Sequence, residues 1–160
     1  MNLQEKAETV NYRIATAGDL DLLMQSRINT IREVNHLGQE EPLSEEFLEA
    51  SGRYFLEGDQ ETVLALVGDR VVGCATMCYM ELMPTFSHPS GKRARLMNVC
   101  TDAGFRRRGI AQQMVSMLIE RAWSRGVTEI SLDATASGRP LYQRLGFVTS
   151  DECMTLNRPE

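Results

Sequence analysis

Hydrophobic residues along the chain change their period several times, and each change marks an element. Val10, Tyr12 and Ile14 alternate with polar neighbours, the two-residue period of a half-buried strand. Thr16 and Asp19 have the spacing of a helix-start box. Leu20, Leu23, Met24, Ile28, Ile31 and Val34 then recur at helical spacing, which predicts a first helix to about residue 35. After a loop with Gly38 and Pro42, Ser44 caps a second predicted helix carrying Phe47, Leu48, Tyr54 and Phe55 and ending near Gly58. Residues 62–67 and 71–83 are apolar runs split by Gly68-Asp69-Arg70, the pattern of a hairpin. A loop from Pro84 to Gly91 leads to a strand at 94–101. A long helix is predicted over about 107–125, with Ile110, Met114, Val115, Leu118, Ile119, Ala122 and Trp123 as its stripe and Gly126 as its stop. A strand at 128–133, a short helix at 138–145 opened by Pro140, and a strand-like stretch at 147–156 complete the order. The expectation is an α/β (α+β) fold: a mixed, mostly antiparallel sheet of six or seven strands with helices on both faces.

Composition narrows the class. A chain of 160 residues with 42% hydrophobic and 24% charged residues is sized for one ordinary core and is too apolar for disorder. The longest aliphatic run, Val63 to Val67, is too short to cross a membrane as a helix. The first eight residues carry no hydrophobic signal region, so the expected location is the cytoplasm. Cys74, Cys78, Cys100 and Cys153 form no CxxC pair, and with His36 and His88 they offer no metal-ligand spacing, so reduced thiols and no metal are expected. Cys74 and Cys78 share one face of a strand.

The net charge of −5 is unevenly distributed. Residues 92–108 carry six basic side chains against Asp102, and residues 33–61 carry nine acids against Arg53. The acidic run is either a solvated face or an attractor for a cationic partner.

The basic run coincides with the chain's strongest chemical feature, a strand followed by a glycine loop and a helix: Leu96 to Thr101, then Arg106-Arg107-Arg108-Gly109-Ile110-Ala111. Gly109 lets a ligand approach the backbone, and the first N–H groups of the helix have no partner inside it. With the helix dipole they make an anion site suited to a diphosphate. Neither GxxxxGK[ST] nor GxGxxG is present.

These residues resemble the GCN5-related N-acetyltransferase superfamily, whose acyl-CoA loop reads Arg/Gln-x-x-Gly-x-Gly/Ala; Arg106, Gly109 and Ala111 match it. Downstream, Tyr142-Gln143-Arg144-Leu145-Gly146-Phe147 resembles the superfamily's late Tyr-x-x-x-Gly-Phe helix. The resemblance is strongest over 62–149 and implies a single N-acetyltransferase domain over 1–160. It implies that acetyl-CoA lies between two splayed parallel strands, 94–101 and 129–133, with no metal. Its diphosphate would rest on Arg107, Arg108, Gly109, Ile110 and Ala111, flanked by Arg106. Its pantetheine arm would run beside Val99, Cys100 and Thr101. An amine would attack the thioester directly, with Tyr142 as general acid to the departing sulfur.

Two departures from the superfamily's pattern bear on the site. Strand 94–101 contains no carboxylate where many relatives place a glutamate base, leaving Glu33, His36, Glu81 or water. Thr135 and Ser137 stand where many relatives use an asparagine to reach the cofactor. The resemblance implies a small-molecule or peptide amine as acceptor and leaves its identity open, and the oligomeric state stays open, a homodimer included. Met77, Met80 and Met83 are either acceptor-lining or core. A non-catalytic acyl-CoA-binding sensor of the same fold is the alternative, against which Tyr142 argues. Nucleic-acid binding is disfavoured by the net negative charge and the scarcity of aromatics near the basic run, and no membrane partner is expected.

Overall fold

The computed structural model describes residues 8–160. Its elements in chain order are β1 (Asn11–Ile14), α1 (Leu20–Val34), α2 (Glu45–Glu57), β2 (Gln60–Val67), β3 (Arg70–Glu81), β4 (Lys92–Thr101), α3 (Ile110–Ser124), β5 (Glu129–Ser131) and α4 (Arg139–Arg144). The strands form one sheet in the order β1-β2-β3-β4-β5. The first three pairings are antiparallel and β4 with β5 is parallel.

Both faces of the sheet are covered because β2 and β3 are buried on both sides. Val63, Ala65, Val72, Ala75 and Met77 pack with Ile110, Met114, Val115 and Leu118 of α3. Leu64, Leu66 and Cys74 face the other way, against Leu23 of α1. Gly73 permits close approach of α3: a Cβ there would lie 3.0 Å from the Cys100 carbonyl oxygen and 3.1 Å from Met114 Cε. Helix α3 is thereby seated with its N-terminus beside the end of β4.

Helix α1 is entered through a 3-10 turn, Ala17–Asp19. The Asp19 carboxylate accepts from the Thr16 backbone N–H at 2.8 Å and from both Arg13 terminal nitrogens at 2.7 and 2.8 Å. The Arg13 hydrogen bonds, and then that from Thr16, hold the Asp19 carboxyl well below the usual carboxylate range. Asp19→Ala should lower unfolding free energy by about 1 kcal/mol, the usual scale of a helix-start contact, read by urea denaturation at pH 7. A depressed carboxylate stabilises fully above its unfolded value near 4 and loses that contribution as pH falls through the folded value. The gap between parent and variant should therefore shrink on acidification below about pH 4.

The sheet has five strands rather than the six or seven expected. The stretch 147–156 forms no ladder, and Val148, Met154 and Leu156 are exposed. Thr149-Ser150-Asp151 interrupts its alternation, and among the described residues no strand pairs with it. Helix α3 begins at Ile110, not near 107, because Arg107 (φ 62°) and Gly109 (φ 77°) are left-handed and cannot continue a right-handed helix. The hairpin, the Ser44 cap (accepting from Phe47 N–H at 3.1 Å) and the helices on both faces agree with the sequence pattern. No helix among the described residues is long and apolar enough to cross a membrane.

Candidate active site

Strand β4 pairs with β5 only from Arg93/Glu129 to Arg95/Ser131. Beyond that point β4 continues to Thr101 with no strand on that side among the described residues, so the two parallel strands part. Arg95 bridges the fork to Asp133. Just past the fork β4 carries a bulge. Asn98 and Val99 lie opposite the single residue Ala75, and Asn98 is left-handed at φ 59°.

At the end of β4, a 3-10 turn at Ala103–Phe105 leads to the loop before α3. Gln113 donates to the Gly109 carbonyl at 3.0 Å. Among the described residues, the N–H groups from Gly109 to Gln112, the first turn of α3, have no backbone acceptor. A Cβ at Gly109 would meet no atom within 4 Å, so the loop opens onto free space. Thr101 adds a buried hydroxyl with no hydrogen-bond partner among the described residues. These are features an anionic, amide-bearing ligand would satisfy, and the residues present therefore fit acyl-CoA.

The three arginines differ. Arg106 donates from Nε to the Thr101 carbonyl at 2.9 Å and pairs with Glu33, so it ties the end of β4 to the end of α1. Arg108 lies 5.0 Å over the Phe105 ring, and Arg107 is exposed. Ile110 is a core residue, leaving only its N–H to the loop. Val99 packs towards the α3 face and Cys100 towards the α1 face, its Sγ 3.9 Å from Glu33 Oε2.

Tyr142 sits on α4 with its ring packed into the α3-side core and edge-on to Phe147 (centroids 5.9 Å, 73°). Its Oη has no hydrogen-bond partner among the described residues, and burial pushes its pKa up. Thr135 is occupied locally: its Oγ1 accepts from Gly138 N–H at 3.1 Å and lies 3.2 Å from Ser137 Oγ. It holds the turn that starts α4.

The three suggested bases are not brought together. Glu33 is in its ion pair with Arg106, His36 is exposed past the end of α1, and Glu81 ends β3 beside a polar cleft with Lys92 and Arg93. Met77 is core, and Met83 is exposed. Three of the nine acids of the 33–61 run have ion-pair partners: Glu33 pairs with Arg106, Asp59 with Arg125, and Glu61 with Arg121 and Arg125.

A cavity of about 340 Å³ lies between α1, α2 and the sheet. Its walls are Phe47, Tyr54 and Phe55 of α2, Thr76 and Cys78 of β3, Met97 and Asn98 of β4, and Arg27 of α1. Its lining contains no carboxylate. Sequence reasoning did not single out Arg27. The signal was its place between Leu23 and Ile31 on the apolar stripe of α1, where a solvated arginine has no reason to lie. Among the described residues no cluster of three or more His, Cys, Asp or Glu side chains could hold a metal.

At this site two parallel strands part beside the N-terminus of α3. The sequence profile of the acetyltransferase (GNAT) family matches residues 28–147, and the chain belongs to that family. A glucosamine 6-phosphate N-acetyltransferase of Trypanosoma brucei brucei is 26% identical over 88 residues, which is 55% of this chain and 58% of that relative. The chain thus spans little more than half the length of that curated relative. A predicted acetyltransferase of Clostridium acetobutylicum, solved with acetyl-CoA, superposes with a TM-score of 0.82 at 25% identity, covering 93% of this chain and 96% of the other. A GCN5-related N-acetyltransferase from Ralstonia eutropha JMP134 gives 0.78 at 23% identity, covering 93% and 99%, a likeness of fold.

Proposed function

We propose that this chain transfers an acetyl group from acetyl-CoA to the nitrogen of an amine acceptor. The observation that carries the reading is the run of N–H groups without a backbone acceptor from Gly109 to Gln112, opened by a left-handed glycine, beside the fork of β4 and β5. When bound, acetyl-CoA supplies a thioester carbonyl open to attack by an amine.

The chain's own residues bind, orient and hold a proton. The N–H groups of Arg107 to Ala111 take the diphosphate, and the unpaired outer edge of β4 at Val99, Cys100 and Thr101 takes the amide-bearing arm. Arg106 braces this edge through the Thr101 carbonyl. Tyr142 keeps its proton at neutral pH and offers it to the departing sulfur. Thr135 and Ser137 position α4, and with it Tyr142.

The cavity lining has no carboxylate, so the acceptor must supply its neutral amine through water. An amine of pKa about 8 is neutral in about one molecule in ten at pH 7, at a cost near 1.4 kcal/mol; a lysine-like amine costs about 4.6 kcal/mol. The geometry therefore favours a lower-pKa amine over a lysine side chain. Calorimetric titration with acetyl-CoA, followed by mass detection of acetylated product over an amine panel, tests the reading. Saturable binding with turnover is expected, and binding without turnover of any amine would point to an acyl-CoA sensor instead.

A further inference from the structure

Arg27 reaches into the cavity between α1, α2 and the sheet with no carboxylate partner among the described residues. Its only hydrogen bond there runs from Nη1 to Asn98 Oδ1 at 3.3 Å, and its guanidinium carbon lies 5.8 Å from the Phe47 ring centroid. The thiols and phenol around it do not neutralise it: burial pushes Cys78 and Tyr54 up, and Cys74 up to about 12, so all three are uncharged at pH 7. Burial also lowers the Arg27 pKa, but arginine stays protonated at neutral pH. A half-buried cation in an apolar cavity calls for an anion.

The arginine is held by a hydrogen-bond chain with one consistent polarity. Gln60 Nε2 donates to the Phe55 carbonyl at 3.0 Å, so its Oε1 accepts from Thr62 Oγ1 at 2.8 Å. The Thr62 proton is thus spent, and Thr76 Oγ1, 2.8 Å away, donates to it. Thr76 must then accept from Asn98, whose Nδ2 lies 3.3 Å off. That turns Asn98 Oδ1 towards Arg27. The bulge on β4, where Asn98 takes its left-handed conformation, puts this amide at the cavity wall. The next residues of β4, Val99 to Thr101, are the edge assigned above to the acyl-CoA arm.

We infer that the cavity is the acceptor site and that Arg27 binds the carboxylate of an amino-acid-like acceptor, with Phe47, Phe55 and Met97 receiving an apolar side chain. This rests on the acetyltransferase reading. One cation in the lining matches a monoanion better than a phosphate dianion, and the aromatic and thioether walls match an apolar side chain. The amine nitrogen forms the bond to the acetyl carbon as the carbon–sulfur bond breaks. One amine proton leaves to water, and the sulfur departs hydrogen-bonded to, or protonated by, Tyr142.

The test compares leucine, methionine and phenylalanine with their amides and their decarboxylated amines, at saturating acetyl-CoA and corrected for the neutral amine fraction. Glucosamine 6-phosphate serves as a phosphate-bearing amine. Carboxylates should exceed the matching amides in kcat/KM by about 10–10²-fold, the usual scale of hydrogen bonds to a charged group. Arg27→Met should erase that ratio through KM, and Arg27→Lys should restore part of it. Acetyl-CoA titration of each variant checks that it is folded. A ratio near one in the parent, a ratio that survives Arg27→Met, a preference for the phosphate-bearing amine, or acetyl-CoA binding with no turnover of any carboxylate would each overturn the inference. Failure to bind acetyl-CoA at all would instead overturn the acetyltransferase reading.

Discussion

Gly109→Val should lower acetyl-CoA affinity by on the order of 10²-fold while leaving the domain folded. Gly109 is left-handed at φ 77°, and its missing Cβ would point into open space beside the N–H groups without a backbone acceptor. A branched side chain there occupies the volume that a diphosphate needs and strains the loop that aims the N–H groups. Losing two hydrogen bonds to a charged group, at about 1.5 kcal/mol each, accounts for that factor. The strain itself is about 1–2 kcal/mol, small enough for most domains to survive. Gly126→Val is the control. Gly126 is also left-handed (φ 81°), its added Cβ makes only an ordinary 3.7 Å contact with Lys92, and it lies past the opposite end of α3. The two variants should lose similar stability by urea denaturation, but only Gly109→Val should lose affinity by calorimetry. Equal affinities in the two folded proteins would remove the loop from the acyl-CoA site.

The turn from β4 through Gly109 into α3 was legible because its signal is local. A strand, a glycine and a helix start lie within about 15 residues, and the backbone chemistry follows from their order. The boundary of α3 was not, because left-handed Arg107 has no sequence mark and only Gly109 announces the turn. The same locality explains β1, the hairpin and the Ser44 cap. The missing strand at 147–156 is the opposite case. Its composition suits a strand, but a strand exists only with a partner, and partner choice is decided by the whole sheet. The acceptor cavity was hidden for a similar reason. Arg27, Tyr54, Thr76 and Asn98 come from four elements, and nothing in their spacing shows that α2 folds across the sheet beside α1. Glu33 illustrates the cost of reading charge alone: it suits a base or a cation attractor in sequence, yet the fold gives it to Arg106.

Tyr142→Phe should reduce kcat by about 10²-fold while leaving the fold and acetyl-CoA affinity intact. The substitution keeps the ring that packs into the α3-side core and against Phe147, and it removes an oxygen with no protein partner among the described residues. Stability therefore loses no hydrogen bond. The phenol starts near pKa 10 and burial raises it further, whereas a thiol is near 8.5, so complete proton donation is uphill by at least about 2 kcal/mol. The tyrosine accordingly acts chiefly as a hydrogen-bond donor to sulfur as charge develops, which puts the effect at the low end of general-acid contributions. Because that bond exists mainly in the transition state, the loss falls on kcat and not on KM. The raised pKa carries a sign of its own: the donor stays protonated through the neutral range, so kcat should not decline from Tyr142 ionisation below about pH 10. Gly138→Ala gives an independent handle on the same hydroxyl. A Cβ at 138 would sit 3.1 Å from Tyr142 Cε2 and 3.2 Å from Thr135 Oγ1, so it displaces the ring without touching its chemistry. Both variants should lower kcat, and only Gly138→Ala should also lower stability. If Tyr142→Phe turns over within about threefold of the parent while chemistry is rate-limiting, the departing sulfur is stabilised by water or backbone N–H groups instead.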